Sequence, residues 1–152
     1  MFKIKNQPCK IKWAPDVEEQ TYPVAESYLL LLYNQSQVSE IISKIKSAPI
    51  VHLKAKDILQ TSGLTQLGAS NIHLTNTRIK IQKSLPLSPI LLVYDERNGK
   101  VIIVDGYHRL YAIHEFYENI WIKCKVCRLY ATKHEKGNRY KVFRQRENGV
   151  QL

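Results

Sequence analysis

Ile90-Leu91-Leu92-Val93-Tyr94-Asp95-Glu96-Arg97-Asn98-Gly99-Lys100-Val101-Ile102-Ile103-Val104-Asp105-Gly106-Tyr107-His108-Arg109 is the stretch whose reading decides the fold. Two β-rich runs, Ile90–Tyr94 and Lys100–Val104, flank a polar segment ending in Asn98-Gly99, and Asn-Gly between such runs is a strong hairpin signal. Both runs are apolar nearly throughout, so the hairpin should be covered on both faces. Gly106 then opens a helix to about Tyr117, with Leu110, Ile113, Phe116 and Tyr117 as its buried stripe and Ala112 allowing close packing. A strand that passes through Asp-Gly into a helix leaves amide N–H groups of the first turn without intrahelical partners. The glycine lets a ligand approach without a Cβ in the way, and the helix dipole favours an anion there.

Outward from this unit, Ile120 to Leu129 reads as a strand that returns to the sheet. Upstream, Asn71 to about Ser84 reads as a helix of mixed apolar pattern. Ile50–Leu53 is a short strand, and Lys54 to Thr61 a short helix terminated by Gly63. Val38, Ile41, Ile42 and Ile45 mark one face of a helix over Ser36–Ser47, which Pro49 ends. A first helix is expected over Pro23–Tyr33, capped by Thr21. The fold class expected is α/β (α+β), a mixed sheet with packed helices. The 152 residues suit one domain with a single core. Within 1–152, about 50–130 form the core, 1–49 a helical N-terminal elaboration and 131–152 a basic tail.

Lysine and arginine total 23 against 13 acids, a formal charge of +10. That balance favours polyanionic partners such as nucleic acid, or a phosphate-rich ligand. Lys3, Lys5, Lys10 and Lys12 precede the first acid, Asp16, while Lys133, Lys136, Arg139, Lys141, Arg144 and Arg146 crowd the other end. No apolar run approaches the roughly 18 residues of a membrane span; Tyr28–Tyr33 is far shorter. Met1–Pro8 lacks the apolar core and cleavage site of a secretory signal, so a cytoplasmic protein with no membrane partner is expected. Three cysteines, Cys9, Cys124 and Cys127, fit a reducing compartment. Cys124 and Cys127 form a C-x-x-C pair, but on a strand side chains three apart face opposite ways, so the thiols should diverge. His52, His73 and His134 show no ligand spacing, and His114 reads as a surface residue of its helix.

The segment Leu85 to Val126 resembles the ParB/sulfiredoxin-like superfamily, in its small ParB-like nuclease domain type. Leu87-Ser88-Pro89-Ile90-Leu91-Leu92-Val93 resembles the proline-led start of that family's strand. Val104-Asp105-Gly106-Tyr107-His108-Arg109-Leu110-Tyr111-Ala112 resembles its D-G-x-H-R signature. The likeness extends more loosely back to Val51 and leaves the first 50 residues without a counterpart. It implies a nucleotide-phosphate site in which Gly106, His108 and Arg109 hold phosphate. Lys54, Lys56 and Asp57 fall where members place residues facing the nucleotide across the pocket. Asp105 matches the acid of the kinase-like members, as catalytic group and as ligand of a metal; on its own chemistry it could equally cap the helix. Tyr107 either stacks on a base or packs on the preceding helix. Because Tyr107 stands where sulfiredoxin has its cysteine, sulfinic-acid reduction is excluded. The Tyr-His-Arg that follows Gly106 also departs from the Glu-Arg-Arg of the partition proteins.

The function expected is therefore nucleotide-phosphate binding at Asp105–Arg109, with ATP or CTP and Mg²⁺ as cofactors and phosphoryl transfer or hydrolysis as the chemistry it could serve. A basic nucleic-acid-binding protein, a ParB-like nuclease and a non-catalytic scaffold are the alternatives. Arg109 and His108 in a first helical turn oppose the dipole, and a local choice that costs stability hints at a ligand.

Overall fold

The computed structural model describes residues 10–63, 72–117 and 119–130. Cys9, His134 and the basic runs at 1–9 and 131–152 lie outside the described residues. Among the described residues, five helices and four strands follow in the order α1 (Thr21–Leu29), α2 (Gln35–Ser47), β1 (Val51–Lys54), α3 (Ala55–Ser62), α4 (Ile72–Gln82), β2 (Ile90–Asp95), β3 (Lys100–Asp105), α5 (Tyr107–Phe116) and β4 (Trp121–Leu129). The strands form one mixed sheet in the order β1-β4-β2-β3. β2 runs antiparallel to β3 and parallel to β4, and β1 closes the far edge antiparallel to β4. The protein is thus an α/β fold with helices packed on a mixed sheet.

The apolar hairpin is covered on both faces, as its composition requires. Ile90 and Leu92 of β2 point into one core with Ile58 of α3, Leu74 and Ile81 of α4 and Leu110 and Ile113 of α5. Leu91 and Val93 point into a second core with Ala25 and Leu29 of α1 and Val38, Ile41 and Ile45 of α2. The N-terminal helices therefore form the layer that covers the second face of the sheet. The same alternation divides Cys124 from Cys127, one in each core, so the two thiols diverge.

Local chemistry explains most boundaries. Asn34 caps α2 in a reciprocal box: Gln37 N donates to Asn34 Oδ1 (2.9 Å) and Asn34 N donates to Gln37 Oε1 (3.0 Å). Gly63, at φ +67°, ends α3 in the left-handed conformation that glycine adopts without strain. Thr21 does not cap α1. It is the first helical residue, and the preceding Gln20 keeps helical dihedrals and makes no side-chain cap bond. The hairpin loop spans four residues, because Asp95 pairs with Lys100 and leaves Glu96-Arg97-Asn98-Gly99 between them.

Two polar anchors cross these layers. Asp95 is fully buried, and its carboxylate accepts from Tyr33 Oη (2.9 Å), Asn98 Nδ2 (2.8 Å) and Arg97 N (3.0 Å), which ties the loop after α1 to the hairpin. Lys125, on β4, donates to Lys46 O at the end of α2 (3.0 Å) and pairs with Asp16 (3.0 Å). No helix among the described residues is long and apolar enough to cross a membrane.

Candidate functional site

A bulge in β3 sets the geometry of the Asp-Gly turn. Leu91 pairs with Asp105 while Leu92 pairs with Ile103, so Val104 is an additional residue in that strand. Bulges of this kind re-aim the side chain that follows, and they concentrate beside active sites. The next residue, Gly106, sits at φ +103° and serves as the N-cap of α5. A Cβ there would collide with Ile90 Cδ1 and would lie 2.9 Å from Arg109 Nη2. Only glycine fits both the dihedral and the space.

Asp105 does not cap the helix. Its carboxylate accepts from Arg109 Nη2 at 2.8 Å, one helical turn on, and the N-cap residue Gly106 has no side chain with which to cap α5. Arg109 is held from its other side as well: Nε donates to Ser88 O (3.1 Å) and Nη2 to Pro89 O (3.3 Å). The guanidinium thus lies under the turn and fastens the approach to β2 onto α5. Its positive charge is matched locally, which accounts for an arginine in a first helical turn.

Tyr107 packs edge-on against Tyr111 of its own helix, with ring centroids 5.2 Å apart, and against His108 at 5.7 Å. Burial pushes its hydroxyl above the usual tyrosine range, and the neighbouring Tyr111 adds to the effect.

Asp105, Gly106, Tyr107, His108 and Arg109 all line one cleft of about 300 Å³, together with Asn76, Thr77 and Lys80 of α4 and Leu87 before β2. The opposite wall is therefore α4. Lys54 and Asp57 do not line it. The Lys54 ammonium lies over the Trp121 ring, 5.2 Å from its centroid, and Asp57 lines a separate apolar groove with Val51, Leu53 and Arg128. His114 is half-buried further along α5, and His52 is exposed on β1.

Asn76, Thr77 and Lys80 carried no signal in the sequence. The buried face of α4 consists of Leu74, Thr77, Arg78 and Ile81 at helical spacing, and two of these are polar. Arg78 is tolerated inside because Glu115 of α5 takes both its Nε and Nη2 at 2.7 Å. That bidentate pair sets the rotation of α4 and brings Lys80 to the cleft.

Among the described residues, no three histidine, cysteine, aspartate or glutamate side chains gather to hold a metal ion. Burial pushes the Cys124 thiol up to about 12 and raises that of Cys127, so neither is a thiolate at neutral pH. Compared with protein-family models, with curated proteins and with solved structures, the chain matches none.

Proposed function

We propose that the cleft between α4 and the start of α5 binds the phosphate chain of a nucleotide, ATP or CTP being the forms the D-G-Y-H-R resemblance suggests. The observation that carries this reading is the N-terminus of α5, begun by the side-chain-less Gly106, opening on a cleft that also presents Lys80 and His108. First-turn amides and the helix dipole favour an anion, and an ammonium across the cleft adds to that field. The one carboxylate among the described lining residues, Asp105, would repel phosphate if it stood alone, but Arg109 neutralises it at 2.8 Å.

Arg109 thus supports the site from beneath, and Lys80 takes the direct role that the motif suggests for the arginine. Magnesium bound to phosphates needs only one or two carboxylates and keeps several waters. A single acid among the described lining residues suits an ion that arrives with the phosphates, and Asp105 would be its ligand from the protein. In phosphoryl transfer, Asp105 would accept the proton of the attacking hydroxyl.

Thermal denaturation with ATP, CTP and inorganic tripolyphosphate, each with and without Mg²⁺, tests the reading. A ligand at 100 times its Kd should add about 2.7 kcal/mol of stability. Lys80→Ala should remove most of that gain, since Lys80 is exposed and its loss leaves the fold intact. No shift with any of the three at millimolar concentration overturns the proposal. A shift with tripolyphosphate equal to that with ATP and CTP would restrict it to phosphate alone. Retained binding but lost phosphate release in Asp105→Asn would assign turnover to that carboxylate.

A further inference from the structure

Opposite the hairpin edge, the sheet carries a second feature that shares no residue with the α4/α5 cleft. β1 and β4 pair antiparallel with His52 opposite Lys123 and Lys54 opposite Trp121. Directly paired residues share a face, and so do residues two apart on a strand. His52, Lys54, Trp121 and Lys123 therefore form one block on one face of the sheet. Trp121 is 56% exposed, and the Lys54 ammonium rests on its ring. A groove of about 1010 Å³ adjoins this block, with the half-buried Trp13 and Tyr117 on its walls and Lys10 on its rim, and none of the described residues lining it is acidic. Further along the same face, Asp16 is occupied by Lys125.

We propose that this face and its groove bind single-stranded nucleic acid. An exposed ring beside lysines, with no carboxylate among the described residues of the groove, supplies the two halves of a strand-binding platform: bases stack on Trp121 and phosphates meet the ammonium groups. An acidic peptide would satisfy the lysines and leave the exposed ring of Trp121 without a stacking partner. A duplex would keep its bases stacked away from the Trp121 ring. The proposal stands independently of any nucleotide at the α4/α5 cleft, because different residues carry it.

The test uses the full chain and fluorescein-labelled oligomers of roughly 12 nucleotides, the scale of such sites, as single-stranded DNA, single-stranded RNA and duplex DNA. Anisotropy should show binding of a single strand that weakens steeply with salt, accompanied by quenching of tryptophan fluorescence. Trp121→Ala should weaken it by about tenfold or more, and Trp121→Phe should recover most of the loss. Lys123→Glu should weaken it for every sequence alike. Whichever of the DNA and RNA strands binds more tightly names the natural ligand. Undiminished affinity in both Trp121→Ala and Lys123→Glu overturns the proposal and assigns any binding to charge elsewhere. So does duplex binding as tight as single-strand binding, full competition by a poly-glutamate peptide, or no binding at about 50 mM salt.

Discussion

Arg109 Nη2 meets Asp105 Oδ2 at 2.8 Å, and this pair turns a motif that reads as a ligand grip into the fastening of the turn itself. The same guanidinium also takes the Ser88 and Pro89 carbonyls, so three acceptors from two chain segments converge on one side chain. Lysine cannot reproduce that planar fork.

Replacing Arg109 should therefore cost stability before it costs any binding. Arg109→Ala leaves part-buried carbonyls and a carboxylate without their donor, at about 1–3 kcal/mol, or a Tm drop of several degrees at about 3 °C per kcal/mol. Arg109→Lys should recover only part of this. Urea denaturation of both variants without ligand is the measurement, and wild-type stability in Arg109→Ala would refute the structural role.

Gly106→Ala should be at least as damaging. The residue sits at φ +103°, where a Cβ costs about 1–2 kcal/mol, and that Cβ meets Ile90 and Arg109 at once. Gly63→Ala makes the contrast: its dihedral is also left-handed, but among the described residues nothing lies within 4 Å of the added carbon. Thermal melts should rank wild type above Gly63→Ala and Gly63→Ala above Gly106→Ala.

Asp95 should give the protein an acid-sensitive component. Burial pushes its carboxyl up, but hydrogen bonds from Tyr33 and Asn98 and the charge of Arg97 outweigh burial and hold it below the usual aspartate value. A group whose pKa is depressed on folding contributes stability that is present above its unfolded pKa and is lost as pH falls through the folded one. That window begins near pH 4, about the ordinary value for aspartate. Wild type should exceed Asp95→Asn in stability at pH 7, and the gap should narrow below about pH 4. A gap that stays constant from pH 7 to pH 3 would exclude the carboxylate as its source.

Cys124 and Cys127 should resist thiol reagents in the folded protein. Both are buried, and burial raises both thiols above the usual range. In a Cys9→Ser background, a disulfide-exchange reagent at pH 8 should label nothing until denaturant is added, and then both. Fast labelling of the native protein would show that the strand opens locally.

Much of the fold was legible because its signals are local. Asn98-Gly99 between two apolar runs marks the hairpin, Gly106 marks the strand-to-helix turn, and Val38, Ile41 and Ile45 mark the inner face of α2. The unbroken apolar run of β2 even announced a sheet covered on both faces. α4 was less clear because Thr77 and Arg78 occupy its buried face, and an arginine is acceptable there only once Glu115 of α5 is beside it. No pattern within residues 72–82 contains that partner.

What the sequence determined by itself, then, is the location of the turn and the need for glycine within it, since backbone sterics depend on the residue and its immediate neighbours. Tertiary structure alone decided which way Arg109 points, that Lys80 faces the turn while Lys54 lies on Trp121, and that the N-terminal helices cover the second face. Those are choices among partners far apart in the chain, and each was settled by which carbonyl, carboxylate or ring came within reach once the two cores had closed on the sheet.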